Sequence, residues 1–448
     1  MAEKNKHKSI QVHIHQIISG FKYRMVFDGI LVGFLTGAVV SVFRKILSYA
    51  DDFRSIVIRE AHDSTGMLIT ALLILAALTA ITVLMYRKEP MISGSGIPQV
   101  KAELMGFIRP HWRKTLICKF IGGICAITGG LSLGREGPSI QLGAMVGKGV
   151  SNISADLKKN KNLLMTCGAG AGLAAAFSAP LAGVIFSMEE LQKRYSTELM
   201  LSTMASSIVA DWVASYAFGL KPVFDLTVTG SVPVSRYWEI LILGLILGFA
   251  GSIYNKCIEL SQNLFEKLGG KGKVIVPFVL IIMLAIWYPQ VLGSGHGLVA
   301  FASLGNHGMK VMLTLLLIKF AFSILSFGTG APGGIFLPLL VLGAIIGGTF
   351  SEGMGTICGF SENYISMFVV MGMAGLFGSI VRAPLTGIVL ISEMTGIFSN
   401  LLPLAIVSFV ANMTAEFNYS LPIYDQLMRR MLSKKGIDYG EMRHSRAR

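Results

Sequence analysis

Apolar residues in this chain fall in long unbroken runs. They neither alternate nor recur on a single helical face. Runs lie near 26–45, 67–86, 116–133, 163–188, 199–220, 237–257, 274–292, 311–327, 334–350, 365–381 and 401–416. About 20 apolar residues span a bilayer as a helix, so the pattern predicts an all-α polytopic membrane protein. A transmembrane barrel would read as short alternating strands. Several runs are short or broken by glycine and proline. A bilayer tolerates a broken helix only where protein or a water-filled cavity satisfies the freed backbone groups. The breaks therefore predict an internal site within tilted, partly spanning helices.

Composition removes the other classes. Of 448 residues, 53% are hydrophobic and 14% charged, against about 25% charged in soluble proteins, and mean hydropathy is +0.64. A soluble enzyme, a disordered chain and a disulfide scaffold are excluded. The net charge of +14 could suggest nucleic acid, but its placement argues against that. Lys4, Lys6, Lys8, Lys22 and Arg24 precede the first run; Arg429, Arg430, Lys434, Lys435, Arg443, Arg446 and Arg448 follow the last. Basic flanks mark the cytoplasmic side of a membrane, so both tails are expected there, with an even number of crossings. The chain reads as a basic segment 1–25, one membrane domain 26–424 and a basic tail 425–448. The first 24 residues are polar, and no cleavable signal is expected. Cys118, Cys125, Cys167, Cys257 and Cys358 are scattered without metal-ligand spacing and read as small buried side chains; no metal or cofactor is expected.

A duplication organises the membrane domain. Gly94-Ser95-Gly96 returns as Gly293-Ser294-Gly295, 199 residues on. The stretch from Gly134 to Gly147 returns 200 residues later as Gly334 to Gly347, matching in its end glycines, its proline and its Leu-Gly-Ala. Ala179-Pro180-Leu181-Ala182-Gly183, running on to Glu189, returns at a separation of 204 as Ala383-Pro384-Leu385-Thr386-Gly387, running on to Glu393. These matches predict two repeats, about 26–220 and 235–424. Loops of the first are basic (Arg87, Lys88; Lys148, Lys158, Lys159, Lys161; Lys193, Arg194), whereas residues 348–364 of the second hold Glu352 and Glu362 but no Lys or Arg. By the positive-inside rule the copies face opposite sides. Inverted repeats with broken helices form a recurrent transporter plan, with the substrate near the midplane.

Three motifs carry candidate chemistry. Gly94-Ser95-Gly96-Ile97-Pro98, Gly134-Arg135-Glu136-Gly137-Pro138 and Gly333–Pro338 are glycine-rich turns followed by a proline suited to the first turn of a helix. Each exposes free N–H groups at a helix N-terminus, where the macrodipole adds about half a positive charge. Several such ends meeting at one point would hold an anion without a full positive charge, so the anion could still leave. The bland alternative is that the glycines serve close helix crossings. Glu136 stands where the second copy has Phe336. An intramembrane carboxylate is costly and is a functional candidate; it could occupy the anion's place and leave it when protonated. Glu189 and Glu190 end a helix beside Lys193 and Arg194, which alone reads as a solvated, charge-paired end. Tyr424 alone reads as an interfacial aromatic.

Two other readings are weaker. Ser294 and His296 could suggest an intramembrane serine hydrolase, but they lie too close in sequence for the usual nucleophile–base pair, and the repeat accounts for the glycines around them. Gly143 to Lys148 is one residue short of a phosphate-binding loop and lacks the following Ser/Thr, which leaves an ATP-driven pump without support.

Together these residues resemble the CLC family of chloride channels and proton-coupled chloride antiporters, over roughly residues 25–430. Gly94-Ser95-Gly96-Ile97-Pro98, Gly134-Arg135-Glu136-Gly137-Pro138 and Gly334-Ile335-Phe336-Leu337-Pro338 match its three anion-site motifs. The resemblance implies that Ser95 and Tyr424 give hydroxyls to a central chloride and that the N–H groups of Ile335 and Phe336 complete the site. It implies that Glu136 is the gating glutamate and that Glu190 is the inner proton-transfer glutamate. Because the family's antiporters generally carry an acid at the latter position, chloride/proton antiport is expected, with a passive chloride channel of the same fold as the alternative. Serine at 95 favours chloride over nitrate, and the motifs argue against fluoride. The resemblance also implies a homodimer with one pore per subunit, in the cell's inner (plasma) membrane, without the C-terminal regulatory domains of some relatives.

Overall fold

The structure, a computed structural model, describes the backbone over residues 2–226, 232–305, 307–358 and 364–437. Side chains are described over 23–226, 232–305, 307–356 and 364–437. The side chains of the basic residues 4–22 and of Cys358, together with residues 443–448 and Glu362, lie outside the described parts. The described residues form helices and no strand. The first half holds α1 (Ala2–Asp63), α2 (Thr65–Lys88), α3 (Ile97–Leu104), α4 (Trp112–Thr128), α5 (Glu136–Ser151), α6 (Ala155–Lys159), α7 (Lys161–Phe177), α8 (Pro180–Phe186) and α9 (Thr197–Phe218). The second half holds α10 (Tyr237–Trp287), α11 (Gly297–Leu304), α12 (Met309–Gly328), α13 (Phe336–Cys358), α14 (Ile365–Val381), α15 (Pro384–Thr395), α16 (Leu401–Phe417) and α17 (Ile423–Ser433).

The apolar runs are helical, but their boundaries shift. α10 turns at Gly269, whose φ of 69° breaks helical geometry, so one continuous assignment covers the counterparts of both α1 and α2. The run 163–188 is two helices, split at Ser178 in left-handed conformation ahead of Pro180. The eight-residue α3 and α11 are too short to register as spans.

The packing repeats as the sequence does. α5 packs on α7 and α13 on α14; α1 on α9 and α10 on α16; α2 on α4 and α10 on α12. Glycines permit the first of these crossings. A Cβ on Gly143 would strike the backbone of Gly168, and one on Gly343 that of Gly372. No neighbour could yield without moving a helix.

Equivalent residues also bond one another reciprocally. Gly134 N–H donates to Gly334 O at 2.7 Å, and Gly334 N–H to Gly134 O at 2.8 Å, as an antiparallel bridge. Such self-complementary pairing is the signature of a two-fold axis, here passing between the two motifs. From that axis α5 and α13 diverge. Lys148 near the end of α5 meets Glu103, which Lys161 also reaches at 2.8 Å. The far end of α13 presents Glu352, which accepts from His307 N–H beside α11. The mirrored helices end on opposite faces, one rich in lysine and the other not, as inverted repeats require.

Candidate functional site

The three predicted N-termini converge. α3, α5 and α13 begin at Ile97, Glu136 and Phe336, each at its glycine-rich turn. Gly94 and Gly96 hold φ of 60° and 92°, conformations that other residues rarely adopt. Gly96 additionally lacks room for a Cβ, which would meet the Gln141 side chain. Gly137 lies directly against Ser95, where a Cβ would approach Ser95 O at 2.7 Å. The loops are tied across the two-fold: Gly94 N–H donates to Gly330 O at 3.2 Å, and Gly333 N–H to Gly94 O at 3.0 Å. Pro98 and Pro138 lie in the first turns of α3 and α5, where a missing N–H costs nothing.

The implied chloride ligands are all buried: Ser95, Ile335, Phe336 and Tyr424 are at most 1% exposed. Ser95 Oγ accepts the Ile97 N–H at 3.2 Å, which leaves its own proton free to donate. The Phe336 ring is fixed among Phe377, Phe177 and Phe186, at centroid distances of 4.6, 5.9 and 6.2 Å. Tyr424 opens α17, which packs on α3. It is fully buried rather than interfacial, its hydroxyl has no hydrogen-bond partner among the described residues, and it lies within electrostatic reach of both Glu190 and Glu136. A buried hydroxyl without a partner is costly, and this one belongs to the proposed ligand set.

Glu136 is the first residue of α5 and wholly buried. Its carboxylate is surrounded by the backbone N–H groups of Glu136 itself, Leu337 and Arg135, in geometry too loose to count as hydrogen bonds. Arg135 beside it lines a cavity of about 980 Å³ that also reaches Leu337, Arg54, His296 and Lys310. A second cavity, of about 210 Å³, reaches Gly94 and Ser95 from the face that carries Lys273, Arg430 and Lys434. Openings from opposite faces thus approach the same cluster of helix ends.

Two local readings need correction. Glu190 is not solvated, and neither it nor Glu189 is hydrogen-bonded to Lys193 or Arg194. It sits in a π-helical turn, Ser187–Gln192, is 1% exposed, and meets Lys101 Nζ at 2.6 Å. Glu189 crosses the two-fold to accept Leu385 N–H at 3.2 Å and Thr386 N–H at 2.7 Å. Its counterpart Glu393 accepts Leu181 and Ala182 N–H at 3.0 and 2.8 Å. Each repeat caps a helix of the other. His296 stacks on Phe224 at 4.6 Å and bonds Val223 O through Nε2, with no hydrogen bond to Ser294 among the described residues, so the hydrolase constellation is absent.

Sequence reasoning missed a pair of lysines. Lys119 Nζ, fully buried, donates to Ile92 O at 2.8 Å and Gly94 O at 2.6 Å. Lys319 Nζ donates to Val291 O at 2.8 Å and Gly293 O at 3.0 Å. Each clamps a Gly-Ser-Gly loop from beneath. Their spacing of 200 within apolar runs was a legible signal. So was Pro222-Val223-Phe224-Asp225 against Pro422-Ile423-Tyr424-Asp425, which sets Phe224 opposite Tyr424 in the mirrored half.

Mirrored half-helices whose N-termini converge on a buried carboxylate fit a class of membrane transport protein. Residues 77–416 match the family described as voltage gated chloride channel. The H(+)/Cl(-) exchange transporter ClcA of Salmonella typhimurium is 33% identical over 433 residues, covering 93% of this chain and 90% of that protein. The exchanger of the same name from Salmonella agona is 34% identical over 430 residues, covering 92% and 90%. A slow cyanobacterial Cl-/H+ antiporter superposes with a TM-score of 0.86 at 29% identity, covering 92% of this chain and 99% of that one. A eukaryotic CLC transporter shares the fold with a TM-score of 0.76 at 22% identity, covering 91% and 74%. This chain belongs to the CLC, or voltage gated chloride channel, family of membrane transport proteins.

Proposed function

We propose that this chain exchanges chloride for protons across the membrane. One observation carries the reading: the buried Glu136 carboxylate lies among backbone N–H groups of both repeats without a full hydrogen bond to any of them, at a place where a chloride would meet the same groups. Ionised, Glu136 fills that place and closes the path toward Arg135. Protonated, it loses its attraction to the helix ends and leaves them to chloride. Proton and anion compete through one side chain, which couples their movements. Ser95, Tyr424 and the Ile335 and Phe336 amides hold the central chloride, while Glu190, beyond Tyr424, passes protons between Glu136 and the lysine-rich face. The named relatives are exchangers, which favours antiport over the passive channel. The decisive experiment is liposome flux with proton and chloride recorded together. Glu136→Gln is expected to move chloride but no longer take up protons; proton uptake surviving in that variant overturns this role.

The working unit is a homodimer. Leu181 and Leu385, at the starts of α8 and α15, are 45% and 52% exposed on a face that also carries the half-buried Glu189 and Glu393. Two helix ends and two carboxylates cannot face lipid hydrocarbon, so a second copy covers them. The lysine-rich face and both basic tails are cytoplasmic by the positive-inside rule, in the inner membrane, which a reporter fused to either end would check.

A further inference from the structure

Lys101 is a buried lysine paired with two carboxylates. Its ammonium lies 2.6 Å from Glu190 Oε1 and in contact with Asp425 Oδ1, while Asp425 Oδ2 lies 2.7 Å from Lys193 Nζ. The result is a line of alternating charge, Glu190–Lys101–Asp425–Lys193. It runs from the interior outward: side-chain exposure is 2% at Glu190, 3% at Lys101, 16% at Asp425 and 49% at Lys193. Lys101 is on α3, which begins behind Ser95, and Asp425 directly follows Tyr424 on α17. One ammonium therefore joins the helix of each chloride hydroxyl to the proton-transfer carboxylate. The charged groups acting on Glu190 are Lys101 from α3, Asp425 from α17 and Lys193 beyond its own turn, with the Tyr424 phenol also facing it. The other carboxylate nearby, Glu103 on α3, is held by Lys148 and Lys161, and the neutral Gln192 bonds Thr166 of α7.

We infer that Lys101 is a positioning residue that sets the cytoplasmic pH range of exchange by holding Glu190 in its ionised form, with Asp425 as the opposing weight. The inference rests on the reading of Glu190 as the inner proton-transfer group. A buried cation in contact favours a carboxylate's ionised form, so protons must compete with Lys101 to load Glu190. Asp425 withdraws part of that field.

The test is chloride-driven proton uptake by the purified full chain in liposomes, measured with chloride flux from acid to neutral pH. Lys101→Met is expected to raise the pH of half-maximal proton uptake by about one unit or more, the shift typical of losing an adjacent opposite charge. Asp425→Asn is expected to lower it, because Lys101 then acts on Glu190 alone. Lys101→Arg, which keeps the charge, is expected to stay near the parent. A purely structural role would not give opposite shifts from two members of one bridge. Chloride flux with an unmoved pH profile in Lys101→Met overturns the inference. Should that variant fail to fold, an upward or absent shift in Asp425→Asn overturns it instead. Glu190→Gln separates the two readings: if it still takes up protons, the role of Glu190 fails whatever Lys101 does.

Discussion

The reciprocal caps at the two-fold give a prediction whose size can be worked out. Glu189 accepts three hydrogen bonds from α15: Leu385 N–H at 3.2 Å, Thr386 N–H at 2.7 Å and Thr386 Oγ1 at 2.7 Å. Glu393 accepts only two from α8, because Ala182 stands where Thr386 does and has no hydroxyl. Both carboxylates are half-buried, so about 1 kcal/mol net per bond is a fair allowance. Glu189→Ala then costs about 3 kcal/mol and Glu393→Ala about 2. With an unfolding entropy of about 2.1 cal/mol/K per residue, a chain of 448 residues loses about 1 °C per kcal/mol. Melting midpoints in detergent should fall by about 3 °C and 2 °C. A detergent-unfolded state that keeps its helices has a smaller entropy change, which enlarges both shifts. Thr386→Ala should remove the difference, leaving the two caps equal. The assay is temperature-ramped intrinsic fluorescence of purified protein at low and high salt, the latter because buried caps resist screening where surface pairs do not. If Lys193→Met and Arg194→Met reproduce the loss while Thr386→Ala changes nothing, Glu189 is an ordinary charge-paired helix end and the cross-repeat argument is wrong.

Two further outcomes follow from the same symmetry. Lys119→Met should weaken bromide binding, read by calorimetry, about tenfold, since it frees the loop that carries Ser95. Lys319→Met makes the equivalent change in the mirrored loop and should leave bromide affinity within about twofold; equal losses would show that the clamp acts on stability alone. Trp substituted at Leu385 should convert the dimer to monomer, read as mass by light scattering in detergent, because an indole cannot fit where two capped helix ends meet a second copy; a persisting dimer would place its interface elsewhere.

The class of fold was written in the sequence because a bilayer imposes simple rules. Runs of about 20 apolar residues, basic residues clustered in the flanks and the first repeat's loops, and three motifs recurring at offsets of 199, 200 and 204 do not depend on fine packing. The site motifs were legible for a related reason. Glycine and proline at fixed spacings describe backbone geometry directly, so local chemistry alone assigns Ser95, Glu136 and Phe336 to helix N-termini. The extent of elements shorter than a bilayer crossing was not legible: α3, α8 and α11 carry no span-length signal, and the break at Ser178 is a left-handed turn that hydropathy does not encode.

The sequence by itself determined that this chain lies in a membrane, that it is doubled, and that its halves oppose one another, because composition and repetition are properties of the chain alone. Only the tertiary structure decided which charges meet. Lys101 finds Glu190 across 89 residues, and Glu189 caps a helix 196 residues away. The first pairing is made by packing within one repeat and the second by the two-fold axis; both bring together side chains whose separation along the chain carries no local trace.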